Sequence, residues 1–266
     1  METIGIVAGA GRLPVAFGRA AREQGLRTVV VNLAPHPDPE LARVADELYS
    51  LPAGFLDRII RTLQDAGAAD LVLVGKVSKE LLYQGQELDW RFQRLLERIS
   101  DRNDDSLLRA LVEEFEREGL RVHQQTLLIG SLLPGAGVLS RRSPDLRERE
   151  DMRFGFERAK AVAGLDIGQT VVVKEKAVLA VEAIEGTDAA IRRGGTLGRG
   201  GAVVVKVSKP NQDLRFDIPT VGLSTIRTMI EVGASALGIE AGKTFLLDRE
   251  ETLRCADEAG IAVEAL

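Results

Sequence analysis

The sequence predicts an α/β protein of two domains, the first Rossmann-like with a mainly parallel sheet and the second a mixed α/β sheet domain. Three observations lead there. The chain has 266 residues, beyond the roughly 100 to 200 of a usual single domain, so two cores are expected. Short β-branched runs alternate with helical patterns through the first half, the order that builds a parallel sheet covered on both faces. The stretch SLLPGAGVLSRRSPDLRER from Ser131 to Arg149 gathers Pro, Gly, Ser and charge, as a domain boundary does. The join is placed near Gly130 to Ser140, giving domains 1–132 and 133–266.

In the first half IGIVA, RTVVVNL and DLVLVG read as strands, with LPVAFGRAAREQG and FLDRIIRTLQDAG as the helices between them. Phe55, Ile59, Ile60 and Leu63 form one helical stripe, and Gly67 supplies a stop. From Asp89 to Glu118 the pattern is helical, and Leu107, Leu108, Leu111, Val112 and Phe115 are amphipathically spaced. Asp104 and Asp105 fall in the first turn of that last helix, where the helix dipole favours carboxylates. The second half predicts a helix around MRFGFERAKAVAGL and strands in TVVVKEKAVLAVEA and GAVVVKVS. A helix from Leu223 to about Val232 follows, then a last strand and helix in KTFLLDREETLRCADEAG. The second half has hairpin-like strand pairs that the first lacks.

Composition excludes several classes of function. Net charge is -5, with 35 basic residues mixed among 40 acidic ones, so wholesale nucleic-acid binding is disfavoured. One cysteine, Cys255, and two histidines, His36 and His123, leave no internal disulfide, cysteine cluster or histidine-rich metal site. Any metal would have oxygen ligands. No basic segment precedes an apolar core at the N-terminus, and no apolar run approaches the roughly 18 residues of a spanning helix, so a cytoplasmic protein is expected. Peripheral membrane contact through a shallow apolar rim is compatible with this.

The first strand runs into AGAGRLP, where Gly9, Ala10, Gly11 and Arg12 precede a helix starting near Leu13 or Pro14. Such a turn suits either a phosphate at a helix N-terminus or a tight structural bend. Only GxG is present, and the second strand ends in Asn32 and Leu33 without the acidic ribose ligand, which disfavours a nicotinamide cofactor. EAGKT imitates a P-loop, but Gly238 is one residue too close to Gly242 and a strand follows, so a plain turn is expected. No GxSxG elbow exists around Ser235. Lys76, Val77 and Ser78 lie where the last strand of the first sheet would end, the edge at which open α/β sheets bind ligands.

In AVEAIEGTDAAIRR a strand passes through Glu182 and Glu185 to Gly186, and Thr187 and Asp188 begin a helix, so oxygen ligands and a helix N-terminus converge. In KVSKPNQDLRFDIPTVG, Lys206 and Lys209 follow an apolar strand, and Arg215, Asp217 and Pro219 come next. Pro219 favours an extended Ile218. An extended segment puts Phe216 and Ile218 on one face and Arg215, Asp217 and Pro219 on the other, which frees Asp217 for a cleft or for a structural pair with Arg215.

Taken together, GAGRLP, DDSLLRALVEEFEREG, LDIGQTVVV, LAVEAIEGTDAAIRR, VVKVSKPNQDLRFDIPTVG and FLLDRE resemble the LpxI-type UDP-2,3-diacylglucosamine diphosphatases of lipid A synthesis. The resemblance implies two α/β domains with the active site in the cleft between them, and hydrolysis of the substrate pyrophosphate to UMP and 2,3-diacylglucosamine 1-phosphate with Mg2+ or Mn2+. It implies that Asp217 is essential for turnover. It also implies substrate contacts from Gly9, Ala10, Gly11 and Arg12, from Lys76, Val77 and Ser78, from Gly186 and Thr187, and from Lys206, Lys209 and Arg215. The GKVSK segment departs from the family's more frequent GNVSR by placing Lys76 beside the expected ligand. Pyrophosphate hydrolysis needs positioning and charge neutralisation more than a covalent nucleophile, so carboxylates with a divalent ion, lysines and helix N-termini suffice. Asp217 is expected to ligate the ion or orient the water, with Asp188, Glu185 and Asp104 as further carboxylate candidates. The alternatives are another sugar-nucleotide enzyme and a non-catalytic sugar-nucleotide or lipid-binding protein. A homodimer and transient contact with the inner face of the inner membrane are compatible with this reading.

Overall fold

A computed structural model describes residues 1–77, 87–99 and 104–266, with Asp104 placed by its backbone alone. The chain divides into unit 1, residues Met1–Gly130 with Asp213–Asp217, and unit 2, Ser131–Gln212 with Ile218–Leu266. The sequence reading assigned the whole RFDIPT stretch to the second half. Asp213–Asp217 instead groups with unit 1, because Phe216, only 2% exposed, sits in that unit's core with Val7, Val29, Val31 and Phe115.

Unit 1 is built on strands β1 (Thr3–Ala8), β2 (Arg27–Asn32), β3 (Glu47–Ser50), β4 (Asp70–Val74) and β5 (Arg121–Val122). Their order is β3-β2-β1-β4-β5, and every pairing is parallel. β1 and β2 are buried along nearly their whole length, as strands covered on both faces must be, which is why they read as continuous apolar runs. Helix α1 (Leu13–Glu23) lies against the sheet. Helix α2 (Leu56–Asp65) buries the stripe Leu56, Ile59, Ile60 and Leu63, as the spacing predicts. The order reverses at β1, since β2 and β3 extend to one side and β4 and β5 to the other. In open α/β sheets the crevice beyond such strand ends is where ligands bind.

Unit 2 has a six-stranded mixed sheet ordered β6-β13-β11-β9-β7-β8. Its strands are β6 (Gly137–Val138), β7 (Thr170–Lys174), β8 (Ala177–Val181), β9 (Val203–Lys206), β11 (Ala236–Ile239) and β13 (Ala262–Ala265). β9, β11 and β13 run parallel, and β7 is antiparallel to both β8 and β9. A two-stranded parallel pair joins β10 (Thr220–Val221) to β12 (Phe245–Leu246). The β7–β8 hairpin turns through Glu175 and Lys176, both left-handed at φ 52 and 58. No glycine eases that turn. The buried Asp151 carboxylate holds it instead, accepting from the Glu175 N–H at 2.8 Å and the Lys176 N–H at 2.6 Å. Asp151 belongs to the long helix Leu146–Gly164, whose start is fixed by the Asp145–Glu148 capping box. Among the described residues no helix is long and apolar enough to cross a membrane.

Candidate active site

In unit 1 the turn after β1 and the end of β4 interlock through their backbones. The Gly9 N–H donates to the Val74 carbonyl at 2.8 Å, the Ala10 N–H to Lys76 at 2.8 Å, and the Lys76 N–H back to Ala10 at 2.9 Å. A Cβ at Gly9 would lie 2.7 Å from the Lys76 carbonyl oxygen, and one at Gly75 would lie 2.8 Å from that of Gly9. Close approach of two backbones therefore requires these glycines, and two of the amides expected to cradle a phosphate are donors inside the fold. Gly11, at φ +101, has open space where a Cβ would be. Arg12 reaches Asp38 at 3.0 Å and Glu40 at 3.3 Å. Burial pushes the Asp38 carboxyl up, but the Glu40 N–H and the Arg12 guanidinium outweigh it and hold the group below its ordinary value. Lys76 and Val77 are exposed at the same strand end, while Ser78 lies outside the described residues.

Asp217 reaches the surface in a way the sequence reading did not foresee. Its backbone is left-handed, at φ +54, between Phe216 and Ile218, which are 2% and 6% exposed. The segment is a turn closed by the Phe216 N–H on the Asp213 carbonyl at 3.4 Å, rather than an extended run, and Pro219 is buried instead of sharing the Asp217 face. The carboxylate is nevertheless exposed. Arg215 pairs with Asp213, at 2.7 Å from Nη2 to Oδ2, and reaches Glu116 at 3.4 Å. The Arg215 hydrogen bond is the main reason why the Asp213 carboxyl stays below its ordinary range.

In unit 2, β9, β11 and β8 end at one sheet edge and β7 begins there, as the pairings Thr170–Lys206, Lys206–Ile239 and Val171–Val181 require. Lys206 ends β9 and is 8% exposed. Its ammonium donates to Thr187 Oγ1 at 2.8 Å, and Thr187 Oγ1 donates to Glu182 Oε1 at 2.8 Å. Among the described residues no carboxylate pairs directly with Lys206, so a buried ammonium with three donors meets one neutral hydroxyl. Thr187 opens the helix Thr187–Gly198, whose N-cap Gly186, at φ 84, contributes no side-chain cap, so the first-turn amides face the same place.

Around this point the edge is charged. Lys209, also 8% exposed, pairs with Asp166 at 2.6 Å. Glu240, buried after β11, accepts from Lys160 at 3.0 Å, Lys243 at 3.0 Å and the Ser208 N–H at 2.9 Å. Burial pushes the Glu240 carboxyl up, but Lys243, Lys160 and the Ser208 amide together hold it low. Glu185 is exposed; its own backbone N–H, followed by Arg193 at 2.6 Å, lowers its pKa. Asp188 lies in the first helical turn. The side chain of Asp104 lies outside the described residues.

Among the described residues no three of His, Cys, Asp and Glu converge to hold a metal. A magnesium ion, however, is usually held through one or two carboxylates with the substrate's phosphate oxygens, and the exposed Asp217 and the first-turn Asp188 are donors of that hard-oxygen type. Sequence reasoning placed Glu182 among the oxygen ligands at the EGTD turn without giving it a role, and did not assign Asp166 or Glu240 to the site. The available signal was a single acidic residue at the end of an apolar run, as in LAVEA and LGIEA.

Two family models match the chain, the LpxI N-terminal domain over residues 3–132 and the LpxI C-terminal domain over residues 135–264. The UDP-2,3-diacylglucosamine pyrophosphatase LpxI of Caulobacter vibrioides is 33% identical over 274 aligned positions, covering 99% of this chain and 97% of that protein. Among solved structures, the ADP complex of N5-carboxyaminoimidazole ribonucleotide synthetase aligns over 65% of this chain and 32% of its own, at 18% identity and a TM-score of 0.27. The biotin carboxylase subunit of pyruvate carboxylase aligns over 69% and 38%, at 13% identity and a TM-score of 0.28. Likeness at that level carries no argument.

Proposed function

Because the chain belongs to the LpxI family, whose two domain models span it from residue 3 to 264, we propose that it hydrolyses the pyrophosphate of UDP-2,3-diacylglucosamine in lipid A biosynthesis. Water adds to the phosphorus on the sugar side, the bridging P–O bond breaks, and UMP and 2,3-diacylglucosamine 1-phosphate are released. The observation that carries this reading is Asp217, an exposed carboxylate held in a left-handed backbone between two buried neighbours. Aspartate tolerates that conformation better than most residues, but it still costs about 1 kcal/mol or more, and such outliers cluster where chemistry is done.

Asp217 orients the attacking water or is a ligand of a Mg2+ or Mn2+ ion, and Asp188 is a second carboxylate of the type that would hold one. A bound divalent ion supplies neutralisation of the diphosphate charge and a more acidic water. Lys206, with Gly186 and Thr187 at the helix N-terminus, meets phosphate oxygens. The Lys209 and Arg215 cations are bound to Asp166 and to Asp213 with Glu116, so they act through these partners.

The same proposal includes transient contact with the inner face of the inner membrane, since the substrate carries two acyl chains. Leu165 and Ile184 are 72% and 69% exposed, and Ile167 is also exposed. These residues lie just before β7 and just after β8, at the edge that holds Lys206. A homodimer is compatible with this reading, and sedimentation would decide it.

The test is UMP release from UDP-2,3-diacylglucosamine by the whole protein with magnesium or with EDTA. Magnesium-dependent release abolished by Asp217→Asn is expected. No release by the wild type would leave a non-catalytic binding protein as the better reading.

A further inference from the structure

The buried Lys206 ammonium donates to Thr187 Oγ1, and Thr187 Oγ1 donates to Glu182 Oε1. The chemistry of the three side chains sets the direction of both hydrogen bonds. An ammonium can only donate and a carboxylate can only accept, so the single Thr187 hydroxyl proton goes to Glu182 Oε1 and a Thr187 lone pair faces Lys206. The second oxygen, Glu182 Oε2, is buried and has no hydrogen-bond partner among the described residues. An orphaned carboxylate oxygen and a buried ammonium side by side would gain from meeting directly, and here a hydroxyl stands between them.

The backbone keeps Glu182 where it is. The Glu182 N–H donates to the Thr170 carbonyl at 2.9 Å, and a Cβ on Gly168 would lie 2.1 Å from the Glu182 carbonyl oxygen, so the loops before β7 and after β8 press together. A direct ion pair would have neutralised the lysine. A hydroxyl relay orients it and leaves its other two N–H donors for an anion arriving at the helix N-terminus.

We propose that Glu182 is a positioning residue that acts through Thr187 to aim Lys206 at a phosphoryl group of the ligand. The inference rests on the diphosphatase reading for the identity of the ligand and on the geometry alone for the relay. Because Glu182 acts on Lys206 only through the Thr187 hydroxyl, removing either Glu182 or the hydroxyl should cost the same, and removing both should cost no more than removing one.

Inorganic pyrophosphate is the probe, titrated calorimetrically into the wild type, Glu182→Ala, Thr187→Val, their double variant and Glu182→Gln, with Tm recorded for each. Expected are losses of about 10- to 100-fold for each single variant, the size usual when a group that orients a binding group is removed. The double variant should fall within about twofold of the singles, and Glu182→Gln, which still accepts from Thr187, within about threefold of wild type. Multiplying losses in the double variant, tighter binding by Glu182→Ala, or no pyrophosphate binding by the wild type would each overturn the relay. UMP release from UDP-2,3-diacylglucosamine is measured on the same proteins. A relay that holds in a protein releasing no UMP overturns the diphosphatase reading alone, and UMP release with multiplying losses overturns the relay alone.

Discussion

The turn after β1 in unit 1 and the strand end after β9 in unit 2 both look like anion sites, and their donors are used in opposite ways. In unit 1 the Gly9 and Ala10 amides are spent on the Val74 and Lys76 carbonyls, and the glycines are there because two backbones touch. In unit 2 the Lys206 ammonium is buried at a helix N-terminus with capacity left over. A glycine-rich turn is therefore weaker evidence for a ligand than an account of where each donor goes.

Substitutions at Asp217 should have the largest effect. Asp217→Asn, Asp217→Gly and Asp217→Ala should each lower kcat by about 10^2- to 10^4-fold, the range for a lost acid, base or water-positioning group. Their stabilities should separate. Glycine has no Cβ penalty at φ +54 and asparagine little, whereas alanine should lose about 1 kcal/mol in urea. Turnover retained by Asp217→Asn would remove unit 1's claim on the chemistry.

The contrast between the two anion-like sites predicts a crossed pattern. Lys206→Met should weaken pyrophosphate binding by about 10- to 100-fold and leave Tm unchanged or higher, because a buried charge without a counter-ion costs stability. Gly9→Ala should do the reverse, costing about 1–3 kcal/mol through the clash at Lys76, with the binding of pyrophosphate unchanged. If Gly9→Ala instead lost binding at full stability, the turn after β1 would be an anion site after all and the contrast would fail.

The acid limb of stability offers a smaller effect. Glu240 has its native pKa lowered from 4.5, so the stability it contributes is fully present above that value and disappears as pH falls through the lower native one. Glu240→Gln should therefore cost about 1–3 kcal/mol at pH 7 and progressively less below pH about 4.5, when followed by denaturant titration. A cost that stays constant down to low pH would mean that Lys160 and Lys243 do not depend on the carboxylate charge.

What was legible in the sequence follows the range of the interactions involved. IGIVA, RTVVVNL and DLVLVG are buried on both faces, and they became β1, β2 and β4. Strand β5 has two residues and β11 four, too short for periodicity to register, yet β11 lies beside β9 in the middle of the second sheet. The exposure of Asp217 could be read from its buried neighbours. Its left-handed backbone could not, since that follows from anchoring Phe216 in a core built by residues as distant in sequence as Phe115 and Val7. The Lys206–Thr187 bond spans 19 residues and the Glu240–Lys160 bond 80, distances at which a single sequence carries no pairing signal.

The apolar side chains beside the Lys206 edge predict the smallest effect and separate the lipid from the diphosphate. Leu165 and Ile184 would gain little by facing water, and the backbone contact of Gly168 with Glu182 places their loops together. If they meet acyl chain or bilayer, Leu165→Ser and Ile184→Ser should each raise KM for UDP-2,3-diacylglucosamine by about three- to tenfold, a fraction of the transfer free energy of a fully buried side chain. Neither should change kcat or pyrophosphate binding, because neither side chain takes part in the hydroxyl relay. Unit 1 provides the control in Trp90, exposed on the helix Trp90–Arg98. Trp90→Ser should leave KM unchanged if the lipid is met at the unit 2 edge. A KM effect at Trp90 with none at Leu165 and Ile184 would move the lipid contact to unit 1 and leave unit 2 with the diphosphate alone.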